Sequence, residues 1–150
     1  ALGYPSRVDE LRILDQSTET ADGRHPVEAL PQVVGLDDLG RLQVAARGAY
    51  VDAQVRDYVV AIVSATREHP EIYLGASPRG SLALFHMAQA WALLRGRDYV
   101  LPDDVKSLAE ATLAHRLILS PGARVKSVSA RTIVAELLAR LAVPGASIRR

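Results

Sequence analysis

The sequence predicts an all-α domain of about six helices, with at most one very short β-hairpin beside them. Ala (23) and Leu (20) together supply over a quarter of the 150 residues, and both are strong helix formers. Aromatic residues are only 5%, whereas β-rich domains draw more heavily on aromatic and β-branched side chains. Proline and glycine fall mainly between the apolar periodic runs, where helices start and stop.

The first residues, Ala1-Leu2-Gly3-Tyr4-Pro5-Ser6, lack Met and turn abruptly at Gly-Tyr-Pro, which reads as a cut within a longer protein. A short helix is expected after Ser6, with Val8, Leu11 and Ile13 or Leu14 on one face and Asp9 and Glu10 in its first turn, where the helix dipole favours acids. Residues 16–35 are polar and proline-broken, which predicts a surface loop. A helix from Leu36 to about Arg47 should turn Leu36, Leu39, Leu42 or Gln43, and Ala46 inward and end at Gly48 in the manner of a glycine C-cap. From Asp52 to Glu68, Val55, Val59, Ile62, Val63 and Thr66 repeat at helical spacing until His69-Pro70 stops the helix.

Ser77-Pro78 opens the next helix with an N-cap serine and a proline at the first helical position. That helix, to about Arg95, is apolar nearly all round and is expected to be the central buried one. Pro102-Asp103-Asp104 starts a further helix to about Leu119, closed by Pro121-Gly122, with Val105, Leu108, Leu113 and Leu117 inward. The last runs from Ser129 to about Leu141, and residues 144–150 trail into a basic, loose tail. Ile72–Leu74 and Val125–Val128 are the strand candidates. The whole is expected to form a single domain over 1–150.

Composition narrows function mainly by exclusion. Lys+Arg total 18 against 17 Asp+Glu, a net charge of +1, and the arginines are scattered among acids, so nucleic acid is not the expected partner. A helix-turn-helix DNA binder is disfavoured for the same reason. There is no Cys, so no disulfide or thiolate chemistry, and the composition fits a reducing, cytoplasmic setting. No apolar run approaches the ~20 residues of a membrane span.

The sequence contains no G-x-x-x-x-G-K-[ST] phosphate loop, no G-x-G-x-x-G turn, no H-E-x-x-H and no G-x-S-x-G. His25, His69, His86 and His115 lack ligand spacing, so no metal site is expected. The acid pairs Asp9-Glu10, Asp37-Asp38 and Asp103-Asp104 lie at helix starts, where they complement the dipole. Trp91 and Phe85 are expected in the core.

One residue breaks a local rule. Arg79 lies in the first turn after Ser77-Pro78, where the positive end of the dipole disfavours a cation by ~0.3 to 1 kcal/mol. Free N–H groups, dipole and guanidinium together make a pocket suited to a phosphate. Spacing alone favours the plainer alternative, an arginine that extends into water or pairs with an acid.

The stretch Tyr73-Leu74-Gly75-Ala76-Ser77-Pro78-Arg79-Gly80 follows Ala65-Thr66-Arg67-Glu68-His69-Pro70 and precedes Gly96-Arg97-Asp98-Tyr99-Val100 and Pro102-Asp103-Asp104-Val105-Lys106. With Leu2-Gly3-Tyr4-Pro5 and Ala114-His115-Arg116-Leu117, these motifs in this order resemble the C-terminal lid of the MoxR family of AAA+ ATPases, over essentially the whole chain. In that family Gly-Ala-Ser-Pro-Arg is the sensor 2 motif, so the resemblance implies that Arg79, carried by Ser77 and Pro78, reaches over the nucleotide. The family usually has Ala where this chain has Gly80. The resemblance further implies that residues 1–6 form the hinge from a core domain, with Tyr4 and Pro5 bordering the adenine or forming a plain turn.

It also implies ATP and Mg²⁺ as cofactors of the longer protein, with no nucleotide held tightly by this stretch alone, which lacks the Walker motifs. Partners would be the AAA+ core, neighbouring subunits of a hexamer and von Willebrand factor A proteins, in chaperone-like remodelling. Arg67 and Arg116 are expected to be structural, paired with Glu68, Glu110 or Asp57. The competing reading is a stand-alone helical interaction module without nucleotide.

Overall fold

A computed structural model describes residues 3–19 and 26–145. Ala1 and Leu2, residues 20–25 of the expected loop and residues 146–150 of the expected tail lie outside the described residues. The chain separates into two compact units, Ala1–Leu39 and Gly40–Arg150, where composition alone led to one.

The first unit carries α1 (Arg7–Glu19). Ser6 Oγ accepts from the Asp9 amide at 3.3 Å, and Asp9 and Glu10 fill the first turn as expected. With no proline or glycine between Arg7 and Glu19, the helix continues through residues 16–19, so the first four residues assigned to the loop are helical. A 3-10 turn at Pro26–Ala29 subdivides what remains. Val8, Leu11, Ile13 and Leu14 are all exposed.

Helix α2 (Leu36–Gly48) runs across the boundary between the units. The inward stripe expected on it is not found: no residue of α2 is buried, and Leu36, Leu39 and Leu42 are exposed. Its last turn is held by a polar contact instead. Nε2 of the buried Gln89 donates to the carbonyls of Arg47 at 3.0 Å and Ala49 at 2.9 Å, satisfying carbonyls that a helix end leaves free.

The second unit is a bundle of α3 (Ala53–Glu68), α4 (Pro78–Leu94), α5 (Pro102–Leu113) and α7 (Ala130–Arg140). Asp52 caps α3 through the Gln54 amide at 2.8 Å, and Ser129 caps α7 through the Thr132 amide at 3.1 Å. All five residues predicted inward on α3 are buried, joined by Tyr58. Ile62, Val63, Leu84, Val105, Leu113, Ile133 and Val134 have no measurable exposure, each worth roughly 1.5–3 kcal/mol of burial.

Three expectations needed correction. Helix α4 is not buried all round: Gly80, Leu84, Ala88, Gln89 and Ala92 face inward, while Leu82, Met87 and Leu94 are exposed. Small residues on the inner face let the neighbouring helices approach closely, which leaves the large ones outside. Helix α5 ends at Leu113, not Leu119, and passes through a 3-10 turn at Ala114–Arg116 into β2 (Ile118–Leu119). That strand pairs antiparallel with β1 (Ile72–Leu74). Val125–Val128 is therefore not the partner strand, because Ser120-Pro121 starts α6 (Pro121–Val125), with Ser120 Oγ accepting from the Ala123 amide at 3.3 Å.

The helix ended by a left-handed glycine is α4, not α2. Gly96 has φ 71°, its amide donates to Leu93 and that of Arg97 donates to Ala92, the paired bonds of a Schellman motif. Among the described residues no helix is long and apolar enough to cross a membrane.

Candidate functional site

In the segment leading from α3 into α4, side chains of α3 hold the backbone that follows it. Thr66, fully buried in the last turn of α3, donates its hydroxyl to the Val63 carbonyl at 2.6 Å and accepts the Ala76 amide at 3.0 Å. Next to it, Arg67 Nε donates to the Ala76 carbonyl at 2.8 Å. Both polar groups of one buried residue are thus claimed by two consecutive side chains of α3. Gly75 lies flush on the same helix, since a Cβ there would stand 2.7 Å from Arg67 Cα, closer than any substituent can come. His69 Nδ1 accepts the Glu71 amide at 3.2 Å and shapes the turn after α3.

From that clamp the chain emerges as Ser77-Pro78-Arg79, all three exposed. Ser77 is the N-cap by backbone conformation, but its hydroxyl makes no capping bond. Pro78 has no amide proton to satisfy, and the Gly80 amide already donates to the Ser77 carbonyl at 2.7 Å. Among the described residues the Arg79 guanidinium has no hydrogen-bond or acidic partner, so the arrangement expected from an acid pairing is not seen. What stands at the start of this 17-residue helix is a free hydroxyl, the positive end of a dipole and an unpaired guanidinium, a donor set suited to an anion.

Gly80 is buried on the inner side of the same turn, where a Cβ would lie 3.1 Å from Ala76 Cβ and 3.4 Å from Leu113 Cδ2. Tyr4 and Pro5, the other residues assigned to the nucleotide, belong to the first unit and are exposed there. Ser77, Pro78 and Arg79 belong to the second unit, and Tyr4 and Pro5 to the first.

Arg67 and Arg116 are structural, but not through the acids expected. Arg67 holds the Ala76 carbonyl, and Arg116 Nε donates to the Thr112 carbonyl at 3.0 Å. Glu110 pairs with Arg131 at 3.4 Å instead. Thr66 and Gly75 went unassigned from sequence. The available signal was a Thr-Arg pair at the end of a helix, nine residues before a glycine-alanine step that needs its own backbone bonds satisfied.

The other end of α4 is closed by a second arginine. Arg97 makes two parallel hydrogen bonds to Asp104, at 2.8 and 2.6 Å, and a third to the Tyr99 carbonyl at 2.9 Å. Asp104 also accepts the Leu101 amide at 2.8 Å. Burial opposes ionisation of Asp104, but the hydrogen bonds from Arg97 and Leu101 and the charges of Arg97 and Arg95 outweigh it, holding the carboxyl below its usual range. Tyr50 bridges to the same loop, its amide donating to Asp98 at 2.7 Å and its carbonyl accepting from Val100 at 2.9 Å. The Gly96–Val100 motif is thus a fastening, with Arg95 stacked 4.8 Å over the half-buried Trp91.

Among the described residues no group of three or more His, Asp and Glu could hold a metal ion. His86 Nδ1 contacts Gln89 at 3.1 Å and His115 Nδ1 contacts the Ala111 carbonyl at 3.2 Å, and His25 lies outside the described residues.

The AAA lid domain family matches residues 64–137, which spans the clamp, both ends of α4 and most of α7. An uncharacterized Bacillus subtilis protein, YeaC, is 43% identical over 95% of this chain and 43% of its own length. The Mycobacterium tuberculosis protein named chaperone MoxR1 is 36% identical over 95% of this chain and 39% of its own. The chain thus spans less than half the length of the curated relatives it matches. A crystal structure of a Cytophaga hutchinsonii protein assigned as an ATPase superposes with a TM-score of 0.75 at 26% identity, covering 95% of this chain and 44% of that one. A helical bundle, a Gly-Ala-Ser-Pro-Arg start to its second long helix and relatives of this kind lead to one assignment: the chain carries an AAA lid domain and is similar to MoxR1 over nearly its whole length.

Proposed function

We propose that this lid works within a longer AAA+ ATPase by presenting Arg79 to the terminal phosphates of ATP held on the core domain. The observation that carries the reading is the unpaired, exposed Arg79 guanidinium at the start of α4, on a backbone fixed by α3. The donor set fits the ligand: Arg79 offers a bidentate fork for phosphate oxygens, and the Ser77 hydroxyl and the helix dipole add to the same field. ATP, when bound with Mg²⁺ on the core, supplies the phosphoryl group that is transferred. This chain's part is to place positive charge where negative charge develops, and to exchange that contact for another as ATP becomes ADP.

On this reading the lid moves as a body because its start is clamped, and the motion passes to neighbouring subunits of a hexamer. Tyr4 and Pro5 border the adenine from the hinge side. Chaperone-like remodelling with von Willebrand factor A partners, in the cytoplasm, is the cellular role that accompanies this family.

Arg79→Ala in the full-length protein is expected to lower ATP turnover about 100- to 1,000-fold, the range for loss of one hydrogen-bond donor to a transition state. The variant should keep the circular-dichroism spectrum of the wild type and unfold at a midpoint no lower. Turnover at the wild-type rate would remove Arg79 from the mechanism. The 150 residues by themselves should neither hydrolyse ATP nor bind it with micromolar affinity by calorimetry, since the core's share of the site is needed.

A further inference from the structure

Arg67 sits nine residues before Ala76, on a different helix from Arg79, and nothing in a sensor arginine's own chemistry calls for it. Its side chain nevertheless spends its Nε–H on one main-chain carbonyl, that of Ala76, at 2.8 Å. Thr66 takes the amide of the same residue at 3.0 Å, and Gly75 lets the segment lie against the Arg67 backbone. Ala76 is 1% exposed and three residues before Arg79. A peptide unit held at both its amide and its carbonyl has little freedom to rotate, and it sets the direction in which Ser77, Pro78 and Arg79 leave α3.

We infer that Arg67 is a positioning residue for Arg79: the hydrogen bond its Nε–H donates to the Ala76 carbonyl, more than its net charge, orients the first turn of α4 toward the nucleotide. This rests on the reading of Arg79 given above. Loss of the bond leaves the Ala76 carbonyl without its partner and frees the segment to shift. Displacement of a reacting or stabilising group by about 1 Å can reduce rate by up to ~100-fold, so a partial displacement is expected to cost several-fold in turnover.

Covalent geometry supplies a clean test. The side-chain amide nitrogen of glutamine stands the same number of bonds from Cα as the Nε of arginine and carries protons to donate, without charge. The terminal methyl of methionine stands at that position and donates nothing. In the full-length protein, Arg67→Met is expected to lower ATP turnover roughly 5- to 20-fold and to speed hydrogen exchange of the Ala76 amide, whereas Arg67→Gln keeps both within about twofold of wild type. In an Arg79→Ala background, Arg67→Met should change turnover by less than about twofold, because the group it positions is gone.

Wild-type turnover in Arg79→Ala itself overturns the reading of Arg79, and this inference with it. If Arg79→Ala is slow but Arg67→Met is not, or Arg67→Gln is as slow as Arg67→Met, or the two losses multiply in the double variant, the inference fails and Arg79 stands. Should Arg67→Met not fold, Thr66→Val against Thr66→Ser replaces it, since the serine keeps the hydroxyl that accepts the Ala76 amide. Loss in Thr66→Val with recovery in Thr66→Ser supports positioning, and equal turnover in the two overturns it.

Discussion

The two ends of α4 carry arginines with opposite fates. At the C-terminal end Arg97 is enclosed by a carboxylate, a carbonyl and the Tyr99 ring, and Arg95 lies over Trp91. At the N-terminal end Arg79 reaches into solvent with no partner among the described residues. The helix dipole widens the contrast, for it favours cations at the first of these ends and opposes them at the second. Arginine that closes a loop is consumed by the fold, while arginine placed against the local field and left unpaired is available to something outside it.

The largest effect on stability should come from breaking the closed end. Asp104→Ala removes two hydrogen bonds from Arg97 and one from the Leu101 amide. It leaves a guanidinium whose side chain is only 20% exposed. Loss of a buried pair can reach 3–5 kcal/mol, and partial access of water to Arg97 reduces this to about 1–3 kcal/mol. Urea unfolding should show a lower midpoint at unchanged slope. A loss below a few tenths would mean that the loop is held by Tyr50 and the Schellman turn alone.

The same pair sets an acid response. The Asp104 carboxyl is held below its ordinary value in the folded chain, so the unfolded state binds the proton first as pH falls. Its contribution is fully present above the unfolded value near 4 and is lost as pH drops through the lower folded value. Wild type should therefore lose stability below about pH 4 by more than Asp104→Asn does, as measured by unfolding midpoints from pH 5 to 2.5. Parallel curves for the two proteins would separate Asp104 from the acid limb.

Breaking the open end should scarcely touch the fold. Arg79→Ala removes an unfavourable cation–dipole contact and no hydrogen bond, so the unfolding free energy should stay level or rise by up to ~1 kcal/mol. A fall of similar size would reveal a partner for Arg79 and weaken the contrast between the ends.

How far the sequence reveals this differs between fold and site. The bundle was legible because α3 repeats Val55, Val59, Ile62, Val63 and Thr66 with one period, and all five are buried. The start of α4 was legible because Ser-Pro is a local signal. The environment of α4 was not: its inner face combines Gly80, Ala88 and Ala92 with Leu84 and Gln89, and a scale of hydrophobicity would bury Leu82 and Met87 ahead of Gly80 and Gln89, although Leu82 and Met87 are exposed. The 16–19 segment and α6 were misread for a related reason, since a proline or serine can break a helix or begin one, and the neighbouring bonds decide. In the site, Arg79 announced itself by violating the dipole rule. Thr66 and Arg67 did not, because their partner is a backbone unit ten and nine residues away, and Gly75 did not, because what it makes room for is the Arg67 backbone of the preceding helix, and no side-chain pattern encodes either.

The smallest expected effect tests whether the clamp at the open end can yield. Gly80 stands in the first turn of α4, and glycine in a helix is less favourable than alanine by up to ~1 kcal/mol. Against that gain, the added Cβ would meet Ala76 Cβ at 3.1 Å and Leu113 Cδ2 at 3.4 Å, the first tight and the second an ordinary contact that buries a methyl. Ala76 is the residue held at both amide and carbonyl by α3, so it moves only with its two hydrogen bonds. A shift of a few tenths of an ångström stretches those bonds without breaking them, and the net result for Gly80→Ala should be a gain of about 0.5 kcal/mol. A loss greater than about 1 kcal/mol would mean that the clamp is rigid against its own helix. Arg79 would then be fixed more firmly at its base than a solvent-exposed first turn suggests.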